Sequence, residues 1–215
     1  MESKNIKAII FDMDGVLINS EAFYMSENRR FLAALGKTAT EEDLYRVVGT
    51  PLLTTQKMFH SYLSDSYTFE EVAELSHKHW LTVKTNYKCL MNDGVVEVLS
   101  WLKKRNYKLA VASSSGIKHI QRVIEQCSLD NYFDVLLTGD MFKKSKPDPE
   151  IYLTAAKMLK AKPEQCIVIE DSVYGIEAGK RAGMKVIALK EPFGHDQSLA
   201  DIKIDGLLEI IDYVK

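Results

Sequence analysis

The stretch IIFDMDGVLINSE, residues 9–21, closes a continuous apolar run, Ala8 to Phe11, with two aspartates two positions apart and then a glycine. Asp is a poor strand residue and is costly to bury. The stretch reads as a strand covered on both faces that delivers Asp12 and Asp14 to the end of a sheet. If the chain stays extended there, the two side chains share one side, and Gly15 lets the backbone turn sharply after them. The rest of the chain must then supply positive charge.

Four more short runs share this apolar, β-branched character: KLAVAS (108–113), FDVLLT (133–138), CIVIE (166–170) and KVIAL (185–189). Each is nearly continuously apolar, as strands buried on both faces are. Helical patterns lie between them. DGVVEVLSWLKKRN aligns Val95, Val98, Leu99 and Leu102, and ends in basic residues that suit a helix C-terminus. SGIKHIQRVIEQCS aligns Ile117, Ile120, Val123, Ile124 and Cys127, and DPEIYLTAAKMLKA predicts Asp148 as N-cap with Pro149 at the first helical position. Strands alternating with helices predict the α/β class, with a Rossmann-like parallel sheet as the core.

Residues 19–88 break the rhythm. They hold helical patterns near 20–35, 41–48, 51–64 and 68–86 and no convincing strand, and Thr50–Pro51 reads as another cap-plus-proline start. The expected organisation is an α/β core of residues 1–18 and 89–215 with an all-helical cap domain, 19–88, inserted into it.

In open α/β sheets, ligands bind outside the carboxyl ends of the strands. That rim collects Asp12 and Asp14, Ser113 to Ser115, Lys146 in GDMFKKSKPDP, and Glu170, Asp171 and Ser172. Four carboxylates close together cannot all stay ionised beside one lysine. Hard oxygen ligands without His or Cys favour Mg²⁺. Serine hydroxyls, a backbone N–H and a lysine make a phosphate cradle. The combination describes phosphoryl transfer, in which a carboxylate facing phosphorus can act as the nucleophile.

The segments DMDGVLINSE, VASSS, KSKPDP and IEDSVYGIEAG resemble, in order, the four motifs of the haloacid dehalogenase superfamily, and the chain is most similar to its β-phosphoglucomutase-like branch of small phosphatases and mutases. The resemblance implies Asp12 as nucleophile and Asp14 as general acid/base. It implies Ser113, the Ser114 N–H and Lys146 as phosphate binders. It implies Mg²⁺ held by Asp12, the backbone carbonyl of Asp14 and Asp171, with Glu170 as ligand or just behind the ligands. Tyr24 and Gly49 are the inserted positions that would meet substrate. An aspartate at position 14, absent from the dehalogenating branch, favours phosphoryl chemistry.

Other readings of single motifs are weaker. In GIEAGKRAG the spacing of Gly175 and Gly179 is one short of a phosphate loop, and Arg181 stands where Ser or Thr is needed. Gly175, Ala178, Gly179 and Ala182 instead form a small-residue stripe that brings a helix close to the sheet. His77 and His79 lie two apart, on different sides of a helix, which argues against a metal pair. Trp80 and Trp101 read as packing residues. A phosphate-accepting signalling receiver would be shorter and lack the insertion.

The expected function is a Mg²⁺-dependent phosphatase of a small phosphorylated metabolite, a sugar phosphate in the first instance; the alternative is a hexose-phosphate mutase. A mutase must also hold a second phosphate. The positions around Gly49 where the mutases carry Lys and Arg are here Val48 and Leu52, with Arg46 and Lys57 the nearest cations. Of 215 residues 46% are hydrophobic and 27% charged, and the net charge is -2, so no basic excess points to nucleic acid and no apolar run suits a membrane or signal peptide. Cys89, Cys127 and Cys166 are odd in number and far apart, and read as buried thiols in a reducing compartment. A cytoplasmic monomer is expected.

Overall fold

The computed structural model describes residues 6–48, 50 and 52–214. They form two compact units: residues up to Asn19 together with those from Tyr87 on, and Ser20–Asn86. The chain rejoins the first unit at Tyr87, two residues before the expected boundary. There the Tyr87 N–H donates to Gln126 Oε1 at 2.9 Å, and the Asn19 N–H donates to Leu90 O at 2.6 Å.

The first unit is built on strands β1 (Ala8–Phe11), β2 (Lys108–Ser113), β3 (Val135–Thr138), β4 (Cys166–Glu170), β5 (Lys185–Leu189) and β6 (Ile202–Ile204). All pair in parallel, in the order β3-β2-β1-β4-β5-β6. β1 is central, flanked by β2 and β4. The sixth strand is an addition to the expected set; its three residues are too short to carry an apolar pattern.

Successive side chains divide the core between the two faces of the sheet. Ile9, Phe11, Leu109, Val111, Ile167 and Ile169 lie in one cluster with Val98, Leu99, Leu102, Ile120 and Val123. Ala8, Ile10, Ala110, Ala112, Val168 and Ala188 lie in the other with Tyr152, Ala155, Ile176 and Ala178. The helices supplying these partners are α5 (Val95–Lys104) and α6 (Ile117–Gln126) on the first face, α7 (Glu150–Met158) and α8 (Val173–Arg181) on the second. Each fully buried Ile, Val or Leu contributes roughly 1.5–3 kcal/mol through burial. The second face is alanine-rich, so its helices lie close: a β-carbon at Gly179 would come 2.8 Å from Val186 Cγ2.

Three local expectations shift. Ile117 is 39% exposed, because it opens α6 before the helix reaches the sheet. Helix α7 begins at Glu150, one residue later than predicted; Pro149 takes the cap position, and Asp148 Oδ1 accepts from the Glu150 N–H at 3.1 Å. Cys127 and Cys166 are buried thiols, but Cys89 is exposed.

The second unit holds α1 (Glu21–Ala34), α2 (Glu41–Arg46), α3 (Leu52–Leu63) and α4 (Phe69–Thr82), and no strand among its described residues. Phe31, Leu32, Leu44, Phe59, Leu63 and Val72 are buried in it, and the rings of Phe31 and Phe59 lie 4.7 Å apart. Thr68 and Glu71 close a capping box at the start of α4. The first unit ends in α9 (Ile210–Tyr213). No helix of the described residues is long and apolar enough to cross a membrane.

Candidate active site

Three adjacent strands, β2, β1 and β4, end on one edge, and the polar residues begin where their ladders stop. Asp12 follows β1 directly; its N–H still donates to Ile169 O at 2.9 Å. The turn behind it is fixed twice. Gly15 has φ +82°, and a β-carbon there would fall 1.9 Å from Asp171 Oδ2. The Asn92 amide donates to Gly15 O at 3.0 Å and to Val16 O at 2.8 Å.

Lys146 is the buried cation of the site. Its ammonium donates to Asp12 Oδ1 at 2.5 Å, Glu170 Oε1 at 2.6 Å and Ala112 O at 3.0 Å, which uses all three of its protons. The charges of Asp12 and Glu170 hold its pKa well above the usual lysine value against the opposing effect of burial. Glu170, at the end of β4, is fully buried. Its two oxygens accept five hydrogen bonds: from Lys146 and Tyr152 on Oε1, and from the N–H groups of Asp171 and Ser172 and the Ser172 hydroxyl on Oε2. Burial works against its charge, but the Lys146 ammonium and these donors keep its carboxyl below the ordinary value.

Asp12 has the opposite balance. Burial pushes its carboxyl up to about 8 against the pull of Lys146, and the charges of Glu170 and Asp14 add to the push. One lysine is shared between two buried carboxylates, and a third, Asp171, lies beside them. Ligand atoms of Asp12, Glu170 and Asp171 all come within 4.8 Å of one another. A buried, all-oxygen set short of positive charge fits a hard divalent cation. Glu170 is the member whose acceptor capacity is already filled.

Asp14 stands apart from that trio. Its Oδ2 accepts from the Ser115 hydroxyl at 3.0 Å, and His119 Nε2 lies 3.5 Å from its Oδ1. Ser113 is buried at the end of β2, and its hydroxyl oxygen accepts from the Ser115 N–H at 3.1 Å. Ser114 is exposed, with its carbonyl turned to Gly139, where a β-carbon would come within 2.1 Å of it. Ser172 caps α8 by accepting from the Gly175 N–H at 3.1 Å. A β-carbon at Gly175 would fall 1.7 Å from Glu170 Oε1, so the small-residue stripe of this helix is what leaves room for the carboxylate.

Of the residues singled out in the sequence, Asp12, Asp14, Ser113, Ser114, Lys146, Glu170 and Asp171 thus belong to one strand-end cluster. Tyr24 belongs to the helical unit, where its ring meets Trp80 edge-on at 5.6 Å. Gly49 lies outside the described residues. The sequence reading placed Ser115 on the rim without giving it a role, and passed over His119, Tyr152 and Gln197, whose amide donates to Asp171 O at 2.6 Å. A signal existed for Tyr152: it shares a buried helix face with Ile151, Ala155 and Ala156, and a buried tyrosine hydroxyl needs a partner.

The sequence model of the haloacid dehalogenase-like hydrolases matches residues 9–189. A phosphorylated carbohydrates phosphatase of Thermotoga maritima is 36% identical over 204 residues, which span 95% of this chain and 91% of that protein. Hexitol phosphatase B of Escherichia coli is 28% identical over 212 residues, spanning 96% and 95% of the two chains. A Thermotoga maritima crystal structure with a provisional β-phosphoglucomutase assignment is 32% identical, with a TM-score of 0.80 over 98% of this chain and 100% of its own.

Proposed function

The chain belongs to the haloacid dehalogenase-like hydrolase family, and from that premise we propose that it is a Mg²⁺-dependent phosphatase of a small phosphorylated metabolite, a sugar phosphate first. One observation carries the reading: two carboxylates two residues apart stand in different surroundings. Asp12 is buried against Lys146, while Asp14 is held by Ser115 beside His119. Two carboxylates kept in unlike environments are suited to different roles.

In this reading an oxygen of Asp12 bonds to phosphorus as the bond from phosphorus to the ester oxygen breaks, and Asp14 gives its proton to that leaving oxygen. Water then opens the acyl phosphate. Asp14 takes a proton from the water, the water oxygen bonds to phosphorus, the bond from phosphorus to the Asp12 oxygen breaks, and Asp12 departs as a carboxylate with inorganic phosphate released. Ser113, the Ser114 N–H and the Lys146 charge serve the phosphate oxygens. Mg²⁺ would be held by Asp12, the Asp14 carbonyl and Asp171, while Glu170, saturated with donors, holds Lys146 in place. When bound, the cation supplies the positive charge the carboxylates lack and offsets that of the phosphate. The named activities of the two phosphatase relatives support the substrate class.

The test is a phosphate-release screen over phosphorylated metabolites with Mg²⁺. Release should disappear in excess EDTA and return with Mg²⁺, with Zn²⁺ a poor substitute for an all-oxygen site. No release from any member would reject the phosphatase reading, and undiminished release in chelator would reject the metal.

The β-phosphoglucomutase assignment of one neighbour keeps a mutase as the second reading. Its second phosphate would need a cation. Leu52 is apolar and 63% exposed, and the Arg46 guanidinium is already paired with Glu42 and Asp43, at 2.5 and 3.5 Å. β-Glucose 1-phosphate with a trace of its bisphosphate should therefore yield inorganic phosphate and little glucose 6-phosphate. Isomer formation outpacing phosphate release would reverse the order of the two readings.

A further inference from the structure

The reading of Asp14 as the proton carrier leaves open what holds its carboxylate at the angle the chemistry needs. On Oδ2 the holder is Ser115. On Oδ1 it is a histidine that no motif contains. His119 is the third residue of α6, and its Nε2 lies 3.5 Å from Asp14 Oδ1. On the far side of the ring, Nδ1 lies 3.2 Å from the hydroxyl of Tyr87. Tyr87 is 4% exposed and meets the imidazole edge-on, with ring centroids 5.3 Å apart.

These contacts favour one tautomer. In the second step of the proposed reaction Asp14 acts as a base, and a carboxylate can only accept, so a ring nitrogen that holds it must carry hydrogen. In a neutral imidazole the other nitrogen is then an acceptor, and the Tyr87 hydroxyl is a donor placed to meet it. At 3.5 Å Nε2 lies near Asp14 Oδ1 but beyond an ordinary N–H···O distance. Such contacts commonly tighten once substrate is bound.

We propose that His119 is a positioning residue for Asp14: its Nε2–H holds one carboxylate oxygen while Ser115 holds the other, and the Tyr87 hydroxyl meets its Nδ1. The inference rests on the reading of Asp14 as general acid/base. A carboxylate steered from both oxygens has one orientation rather than several, which is the condition for efficient proton transfer.

A packing role and a positioning role predict opposite orders for two variants. His119→Phe keeps a ring against Tyr87 but has no N–H; His119→Gln loses the ring and keeps a donor. With glycerol 2-phosphate as probe, His119→Phe should lower kcat about 10-fold, as loss of an outer hydrogen-bond partner does. KM should stay within about twofold, because no substrate contact is removed. His119→Gln should recover most of the rate. With 4-nitrophenyl phosphate, whose leaving group needs little protonation, the His119→Phe loss should shrink. Independently of turnover, ¹⁵N NMR of the imidazole at neutral pH should find the hydrogen on Nε2, and Tyr87→Phe should weaken that preference. Equal rates for His119→Phe and the unmodified protein, a Gln variant no better than the Phe variant, or the hydrogen on Nδ1 would overturn the proposal. Asp14→Asn run alongside separates the two levels. If it is slow on glycerol 2-phosphate while His119→Phe is not, only the positioning role falls. If it is as fast as the unmodified protein, the acid/base reading falls and takes this inference with it.

Discussion

In the α/β unit Glu170 is buried where a strand ends, and in the helical unit Glu27 is buried partway along a helix. Glu170 follows its strand into a turn that leads to α8, and there the N–H groups of Asp171 and Ser172 are not yet claimed by helix or ladder. Glu27 sits within α1, where the backbone N–H groups are taken by the helix itself. It must rely on side chains. Its Oε1 accepts from Arg30 at 2.6 Å, while its Oε2 lies 3.3 Å from His79 Nε2 and neither of those two atoms has a hydrogen-bond partner among the described residues. The difference teaches where a fold can keep ionised groups out of water at low cost. A strand-to-helix junction offers free backbone donors, and a helix interior offers none.

The largest expected effect breaks the first half of the comparison. Asp12→Asn should lower phosphate release on the order of 10⁶-fold, as removal of a covalent nucleophile does, while a circular dichroism spectrum like that of the unmodified protein shows the fold retained. Steady-state turnover near the original rate would reject Asp12 as nucleophile. Asp14→Asn should cost about 10²–10⁴-fold on alkyl phosphates. Its loss should be smaller on aryl phosphates, and an equal loss on both would count against a proton-transfer role.

The next pair addresses the comparison itself. Glu170→Gln replaces one of two saturated oxygens with a donor that must face the Lys146 ammonium or two backbone N–H groups. Denaturant unfolding should show a loss of about 3–5 kcal/mol, as for other broken buried pairs. Glu27→Gln has far less to lose at Oε2, and should change stability by about 1 kcal/mol or less. Similar losses for the two variants would show that the backbone donors at the strand end are not what makes the difference.

The same contrast explains what could be read from the chain beforehand. β1, β2, β4 and β5 are apolar on both faces, and the register of a parallel sheet then brings Asp12, Ser113 and Glu170 to one edge. β6 was not legible: of its three residues only Ile204 is fully buried. His119 escaped because its partners, Asp14 and Tyr87, lie 105 and 32 positions away in a chain numbered continuously from 1 to 215. Nothing local marks such a meeting. The helical unit was legible as helices, but not in its surfaces. Leu52, Leu53 and Leu81 are exposed there, while Glu27, Asn28 and Ser76 are buried.

The glycines that abut the carboxylates carry a consequence for descent. At position 175 the smallest possible enlargement, a single methyl group, would come within 1.7 Å of Glu170 Oε1, and at position 15 within 1.9 Å of Asp171 Oδ2. No residue intermediate between glycine and alanine exists, so neither position can be altered by degrees. A lineage of this chain can drift toward new substrates one mutation at a time only where side chains have slack, as the exposed leucines of α3 and α4 do. The charge network can be inherited whole or lost, but it offers no gentle slope along which to change.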